Sequence, residues 1–116
     1  MKRPAGSLAI DWFYARPGCE SCEKTRVELE RRSLEPREER STKRPIDDSE
    51  ARALLGSVDE VWIARGAKID RRLAARVTVG DLRGPTGGIR APLLRSGRHL
   101  LVGFREATLR EWLDTI

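Results

Sequence analysis

Tyr14-Ala15-Arg16-Pro17-Gly18-Cys19-Glu20-Ser21-Cys22-Glu23-Lys24 holds both cysteines of the chain and decides how the rest is read. An apolar run precedes it, and a charged run free of glycine and proline follows from Glu20 to about Arg32. The Pro17-Gly18 break between these runs puts Cys19 at a helix N-terminus, where unpaired backbone N–H groups and the helix dipole favour a thiolate. Cys22, three residues on, falls on the same helical face and within reach of a mixed disulfide formed at Cys19. Cys19 therefore reads as a nucleophile and Cys22 as a resolving thiol. A zinc site would need about two more ligands, yet there is no further cysteine and His99 is the sole histidine. The pair reads as redox chemistry, with no metal expected.

The 116 residues suit a single domain, residues 1–116, with one ordinary core. The net charge of +5 comes from 23 Lys and Arg against 18 Asp and Glu, interspersed along the chain. Such a mixture reads as a solvated surface, and no direct nucleic-acid contact is expected. After Lys2 and Arg3 the apolar run is broken by Asp11 and Arg16, so it makes no signal-peptide core, and nothing approaches a membrane span. The expectation is a cytoplasmic protein, and in that reducing compartment a Cys-x-x-Cys serves catalysis or sensing better than stapling.

Working outward, Ser7 to Tyr14 reads as a mostly buried strand, with Ile10, Trp12 and Phe13 supplying β-favouring bulk. From Glu20 to Arg32, Cys22, Thr25 and Leu29 share one face of an amphipathic helix. Glu35 to Thr42 reads as a second strand. Asp47 or Asp48 caps a short helix through Ala51, Leu54 and Leu55 that stops at Gly56. Val58 to Ala64 and Ile69 to Arg76 read as two further helices around an Arg65-Gly66 break, giving a helical insert over about 47–77. Thr78 to Gly88 is turn-rich. Ala91 to Leu94 and His99 to Phe104 read as antiparallel strands joined at Ser96-Gly97. Leu109, Trp112, Leu113 and Ile116 then mark a closing helix. Trp12, Trp62 and Trp112 lie in apolar runs and read as core residues. Strand, helix, strand, helical insert, hairpin and helix in this order are the arrangement of a thioredoxin-like α/β fold built on a mixed sheet.

With these residues in view, the chain resembles the glutaredoxin-type arsenate reductases (ArsC-like) and the Spx-type regulators over almost its full length. The resemblance rests on the Tyr14–Lys24 stretch, on Asp59-Glu60-Val61-Trp62-Ile63-Ala64-Arg65, on Ile89-Arg90-Ala91-Pro92-Leu93-Leu94, and on Leu101-Val102-Gly103-Phe104 before the last helix. It implies Cys19 as the nucleophile, Arg65 as an oxyanion-binding arginine from the insert, and Pro92 as a cis-proline beside the thiol. It makes Arg90 the arginine nearest that proline, although Ala91 stands where arsenate reductases carry theirs. In an extended segment that one-residue shift turns the side chain to the other face. Val102 falls where a further arginine stands in those enzymes. The activity implied is thiol-disulfide oxidoreduction with no bound cofactor, driven by an external thiol such as glutathione or thioredoxin. The alternative implied by the Spx-type regulators is a redox-switched contact with RNA polymerase, through the carboxy-terminal domain of its α subunit.

Overall fold

The computed structural model describes residues 8–116. Trp12–Ala15 forms β1, whose Phe13 and Ala15 face one layer of core while Tyr14 faces the other. Ser7, placed in this strand by the sequence, lies outside the described residues, and pairing begins only at Trp12. The helix α1, Glu20–Arg31, is capped by Cys19. It ends where Ser33 takes a φ of 56° and the Leu34 N–H donates to the Leu29 carbonyl at 2.8 Å, a closing motif that satisfies the last carbonyls. Glu39–Ser41 is β2, shorter than the sequence expectation, and runs parallel to β1. The helix α2, Asp48–Gly56, begins where the Asp47 carboxylate accepts the Glu50 N–H at 2.8 Å.

The helical insert over 47–77 is corrected after this point, because only α2 is an α-helix. Glu60–Arg65 is β3 and Lys68–Leu73 is β4, an antiparallel hairpin followed by a single 3₁₀ turn at Ala74–Arg76. Three consecutive buried bulky residues, Val61, Trp62 and Ile63, need apolar cover on two opposite faces at once, which a sheet interior supplies and a surface helix does not. The Ile69, Leu73, Val77 spacing imitates a helix, yet Leu73 is 63% exposed. Gly66, at φ 55°, occupies the first position of the two-residue Gly66-Ala67 loop, which suits a hairpin. Arg71 of β4 lies over the Trp62 ring at 3.9 Å and pairs with Glu111 at 2.8 Å, which fastens this edge strand to the closing helix.

Leu93–Ser96 is β5 and His99–Val102 is β6, joined at Gly97 as the sequence indicated, and α3 spans Glu106–Thr115. Pairing in β5 starts after Pro92, which has no N–H to donate. The six strands form one mixed sheet in the order β2-β1-β5-β6-β3-β4. On one face Phe13, Trp62, Leu94 and Leu101 pack under Leu29 of α1 and Leu109, Trp112 and Leu113 of α3. On the other, Tyr14, Val61, Ile63, Leu93 and Leu100 pack under Ala51 and Leu55 of α2 and the 3₁₀ segments. Each such fully buried large side chain contributes on the order of 2 kcal/mol, so the two layers together fix where the strand ends stand. Trp62 and Trp112 are core residues as expected, while Trp12 is half-buried and stacks on Tyr14 at 5.7 Å between centroids. No helix of the described residues is long and apolar enough to cross a membrane.

Strand directions decide what stands where. β1, β2, β3 and β6 run one way, and β4 and β5 run the other. One edge of the sheet therefore collects the C-terminal ends of four strands and the beginnings of two.

Candidate active site

That edge carries the thiols. Cys19 is the N-cap of α1 in an extended conformation, φ −89° and ψ 121°, and its Sγ accepts the N–H of Cys22 at 3.3 Å. The apolar Ala15 ends β1 in the core, and the Arg16-Pro17-Gly18 turn leads to a half-buried Cys19. Cys22 differs sharply, being 1% exposed, with its Sγ accepting the Arg16 N–H at 3.3 Å. Burial above all pushes its thiol up to about 12, with the neighbouring Cys19 acting in the same sense and the Arg16 backbone bond and charge pulling the other way. Both cysteines are free thiols. A negative charge on Cys19 thus opposes ionisation of Cys22, and the reachable sulfur is the one on the helix cap.

The Ala91–Pro92 peptide is cis. Trp12, Phe13 and Tyr14 stand opposite Arg95, Leu94 and Leu93, so continuing the register sets Pro92 level with Ala15 and Ala91 level with Arg16. Ala91 and Cys19 also pack against the same core layer. Pro92 of the sequence reading therefore stands level with the end of the strand that leads to Cys19.

Arg65 ends β3, and Arg90 reaches the same strand. Arg90 begins beside β5, but its Nη2 donates to the Ala64 carbonyl of β3 at 3.3 Å. It passes Gly103, where an added Cβ would stand 2.8 Å from Nη2. Burial and the nearby Arg65 charge both lower the pKa of Arg90. Arg65 is half-exposed and sits 3.5 Å from Asp70 and 3.7 Å from Asp81, acids that it shares with Arg72. Asp70 and Asp81 had no place in the sequence reading, and Gly103 entered it only within the Leu101–Phe104 stretch, since their roles depend on strand neighbours far apart in the chain. The glycine at the end of an apolar strand was the one available signal, because glycine there marks a close backbone approach.

On the β2 side of the thiol turn lies a cleft of about 400 Å³, lined by Ala15, Arg16, Pro17, Arg26, Ser41 and Arg44 among others. His99 opens β6 at the opposite edge of the sheet, 3.7 Å from Glu60, so it makes no dyad with Cys19. Among the described residues no cluster of His, Cys, Asp and Glu could hold a metal ion. No protein-family model matches the chain and no curated protein matches it.

Proposed function

We propose that this protein is a thiol-disulfide oxidoreductase with a thioredoxin-like arrangement, related to the arsenate reductase and Spx type, in which Cys19 attacks and Cys22 resolves. The observation that carries the reading is the asymmetry of the pair. Cys19 is half-buried with the Cys22 N–H aimed at its sulfur, while Cys22 is fully buried with its thiol pushed up to about 12. The frame supports it: β1, α1 and a parallel β2, then the β5–β6 hairpin antiparallel to β1, then α3 on the same face as α1. Pro92, level with the end of β1, adds to that frame.

In the forward reaction the Cys19 thiolate attacks one sulfur of a substrate disulfide and expels the other as a thiolate, which takes a proton from water. The Cys22 thiol then gives up its proton, attacks the Cys19 sulfur and releases the second substrate thiol. One substrate disulfide becomes two thiols, and two protein thiols become the Cys19–Cys22 disulfide, which an external thiol reduces for the next turnover. Forming the mixed disulfide removes the Cys19 charge, which opposes ionisation of Cys22 in addition to burial. An oxyanion clamp around Cys19 is left out of this reading, because Arg90 reaches toward β3 and Arg65 is shared with two carboxylates.

Cys19→Ser is expected to abolish reduction of a disulfide substrate, and Cys22→Ser to accumulate a mixed disulfide visible by intact mass. Full reductase activity in both single variants would overturn the assignment.

A further inference from the structure

Charge is unevenly satisfied at the edge that carries Cys19. Its acids are engaged: Glu20 with Lys24 at 3.1 Å, Glu106 with Arg110 at 2.7 Å, Asp48 with Arg83 at 2.6 Å, and Asp47 in capping α2. Arg16, Lys43, Arg44, Lys68, Arg90 and Arg105 make no ion pair among the described residues. All six follow the end of β1, β2 or β6, or open β4 or β5.

Two of these cations converge with Arg65 on the β3–β4 turn. Arg105 donates from Nη1 to the Ala67 carbonyl at 2.9 Å, and Arg90 donates to the Ala64 carbonyl at 3.3 Å. Arg65 and Lys68 face each other across the two-residue loop. Arg105 is also the N-cap of α3 and makes no side-chain capping bond. A cation at the positive end of a helix is disfavoured on both counts, so local helix stability does not account for it. β3 lies three strands from β1 in the sheet order, which at about 4.8 Å per strand is about 14 Å from the strand that leads to Cys19.

We propose that the β3–β4 turn, with Lys68, Arg90 and Arg105, docks an acidic segment of the polypeptide whose disulfide Cys19 attacks, its carboxylates lying about 14 Å from that disulfide. This rests on the oxidoreductase reading and names its substrate class. A polypeptide is the occupant, because it carries both a disulfide for Cys19 to attack and a block of carboxylates. Its carboxylates complement Lys68, Arg90 and Arg105, which make no ion pair among the described residues, whereas a nucleic acid offers anionic charge without a disulfide. Such complementarity acts mainly on the rate of encounter, and salt screens it.

The test uses three synthetic peptides, each bearing one cysteine as a mixed disulfide with neutral 2-thiopyridine. About four extended residues, at about 3.3 Å each, separate that cysteine from a block of Glu, Gln or Lys. Thiopyridone release gives the second-order rate constant. The Glu peptide is expected to react about tenfold faster than the Gln peptide at low ionic strength, with the Lys peptide slowest and the advantage lost at high salt. The Glu/Gln ratio should fall several-fold in Arg105→Glu and in Lys68→Glu and stay unchanged in Arg76→Glu, which lies in the 3₁₀ turn on the α2 face. Glutamate at the start of α3 is favoured by the helix dipole, so the Arg105 variant is not expected to unfold. Equal Glu and Gln rates, or a ratio unmoved by both substitutions, would overturn the docking site. If even the Gln peptide fails to react, the oxidoreductase reading falls. Fluorescence anisotropy of a labelled, sulfur-free Glu peptide then decides the docking separately, weaker binding in Arg105→Glu supporting it and unchanged binding refuting it. An oligothymidylate of equal charge that binds more tightly than the Glu peptide would also overturn it in favour of a nucleic-acid site.

Discussion

Cys22 keeps its proton in the folded protein well beyond the ordinary thiol range, and this ties stability to alkaline pH. Its thiol stands at about 12 against 9.0 for an unperturbed thiol, with burial as the main cause. Between those two values the native state binds more protons than the unfolded chain, so unfolding becomes easier as pH rises. The contribution is fully present below 9.0 and is lost progressively as pH climbs toward about 12. Each unit in that window is worth about 1.4 kcal/mol, so the loss is near zero at about pH 7.5 and about 1.4 kcal/mol at about pH 10. Serine in place of Cys22 does not ionise in this range. Urea denaturation of the wild type and of Cys22→Ser, under reducing conditions at both pH values, isolates the effect, since every other residue is common to both proteins. The wild type is expected to lose about 1.4 kcal/mol relative to the variant on going to the higher pH. A stability difference that is the same at both pH values would show that Cys22 is not held neutral by burial, and the division of labour between the two thiols would lose its basis.

Gly103→Ala is expected to cost about 1–3 kcal/mol, because Gly103 has a φ of 81° and its added Cβ would stand 2.8 Å from the Arg90 guanidinium. In an Arg90→Ala background the clash disappears and only the backbone strain remains, so a double-mutant cycle by urea denaturation should show positive coupling between the two sites. Glu28, which is nearly buried, is held below the ordinary carboxylate range chiefly by its hydrogen bond from Arg32 at 2.8 Å, with Arg110 adding to it against the cost of burial. A depressed carboxyl stabilises the fold above its unfolded value and loses that effect as pH falls through the folded value. The stability gap between wild type and Glu28→Gln, followed by thermal unfolding, should therefore shrink on acidification and stay constant above neutrality.

The Cys-x-x-Cys at a strand-helix junction, the α1 helix, the Ser96-Gly97 hairpin and the closing helix were all legible, because each is written in a local signal: a cap, a turn or a helical period. The β3–β4 hairpin was not, although Arg65-Gly66-Ala67-Lys68 carries the same Gly-x loop as Ser96-Gly97-Arg98-His99. There the spacing of Ile69, Leu73 and Val77 suggested a helix, and the deciding contacts came from elsewhere. Val61, Trp62 and Ile63 find Leu100, Leu101 and Val102 opposite them in β6, some forty residues on. Arg90 illustrates the same limit at the site. Its position before Ala91-Pro92 marked it as near the thiols, but a glycine just past β6 lets its side chain cross to β3.

Three local choices at this edge work against the fold's own stability. Arg105 caps a helix without a capping bond, Arg90 is half-buried without a carboxylate among the described residues, and Gly103 gives up a side chain at φ 81° to let that arginine pass. Other positions follow the local rules: Asp47 caps α2, Thr78 and Asp81 close a reciprocal capping box, and Glu28 is enclosed by arginines. Gathered at the end of the sheet that also carries the thiols, these three fit a surface kept for a partner, since natural sequences depart from local consistency mainly where function requires it. The same reasoning separates the two cation groups at this edge. Arg16 and Arg44 line a cleft on the β2 side of the thiol turn together with Glu23 and Glu39, whereas Arg90 and Arg105 are held by carbonyls of β3 and its turn, three strands away from β1. A substrate that satisfies both groups must be extended across several strands, which is a property of a polypeptide and not of a small oxyanion.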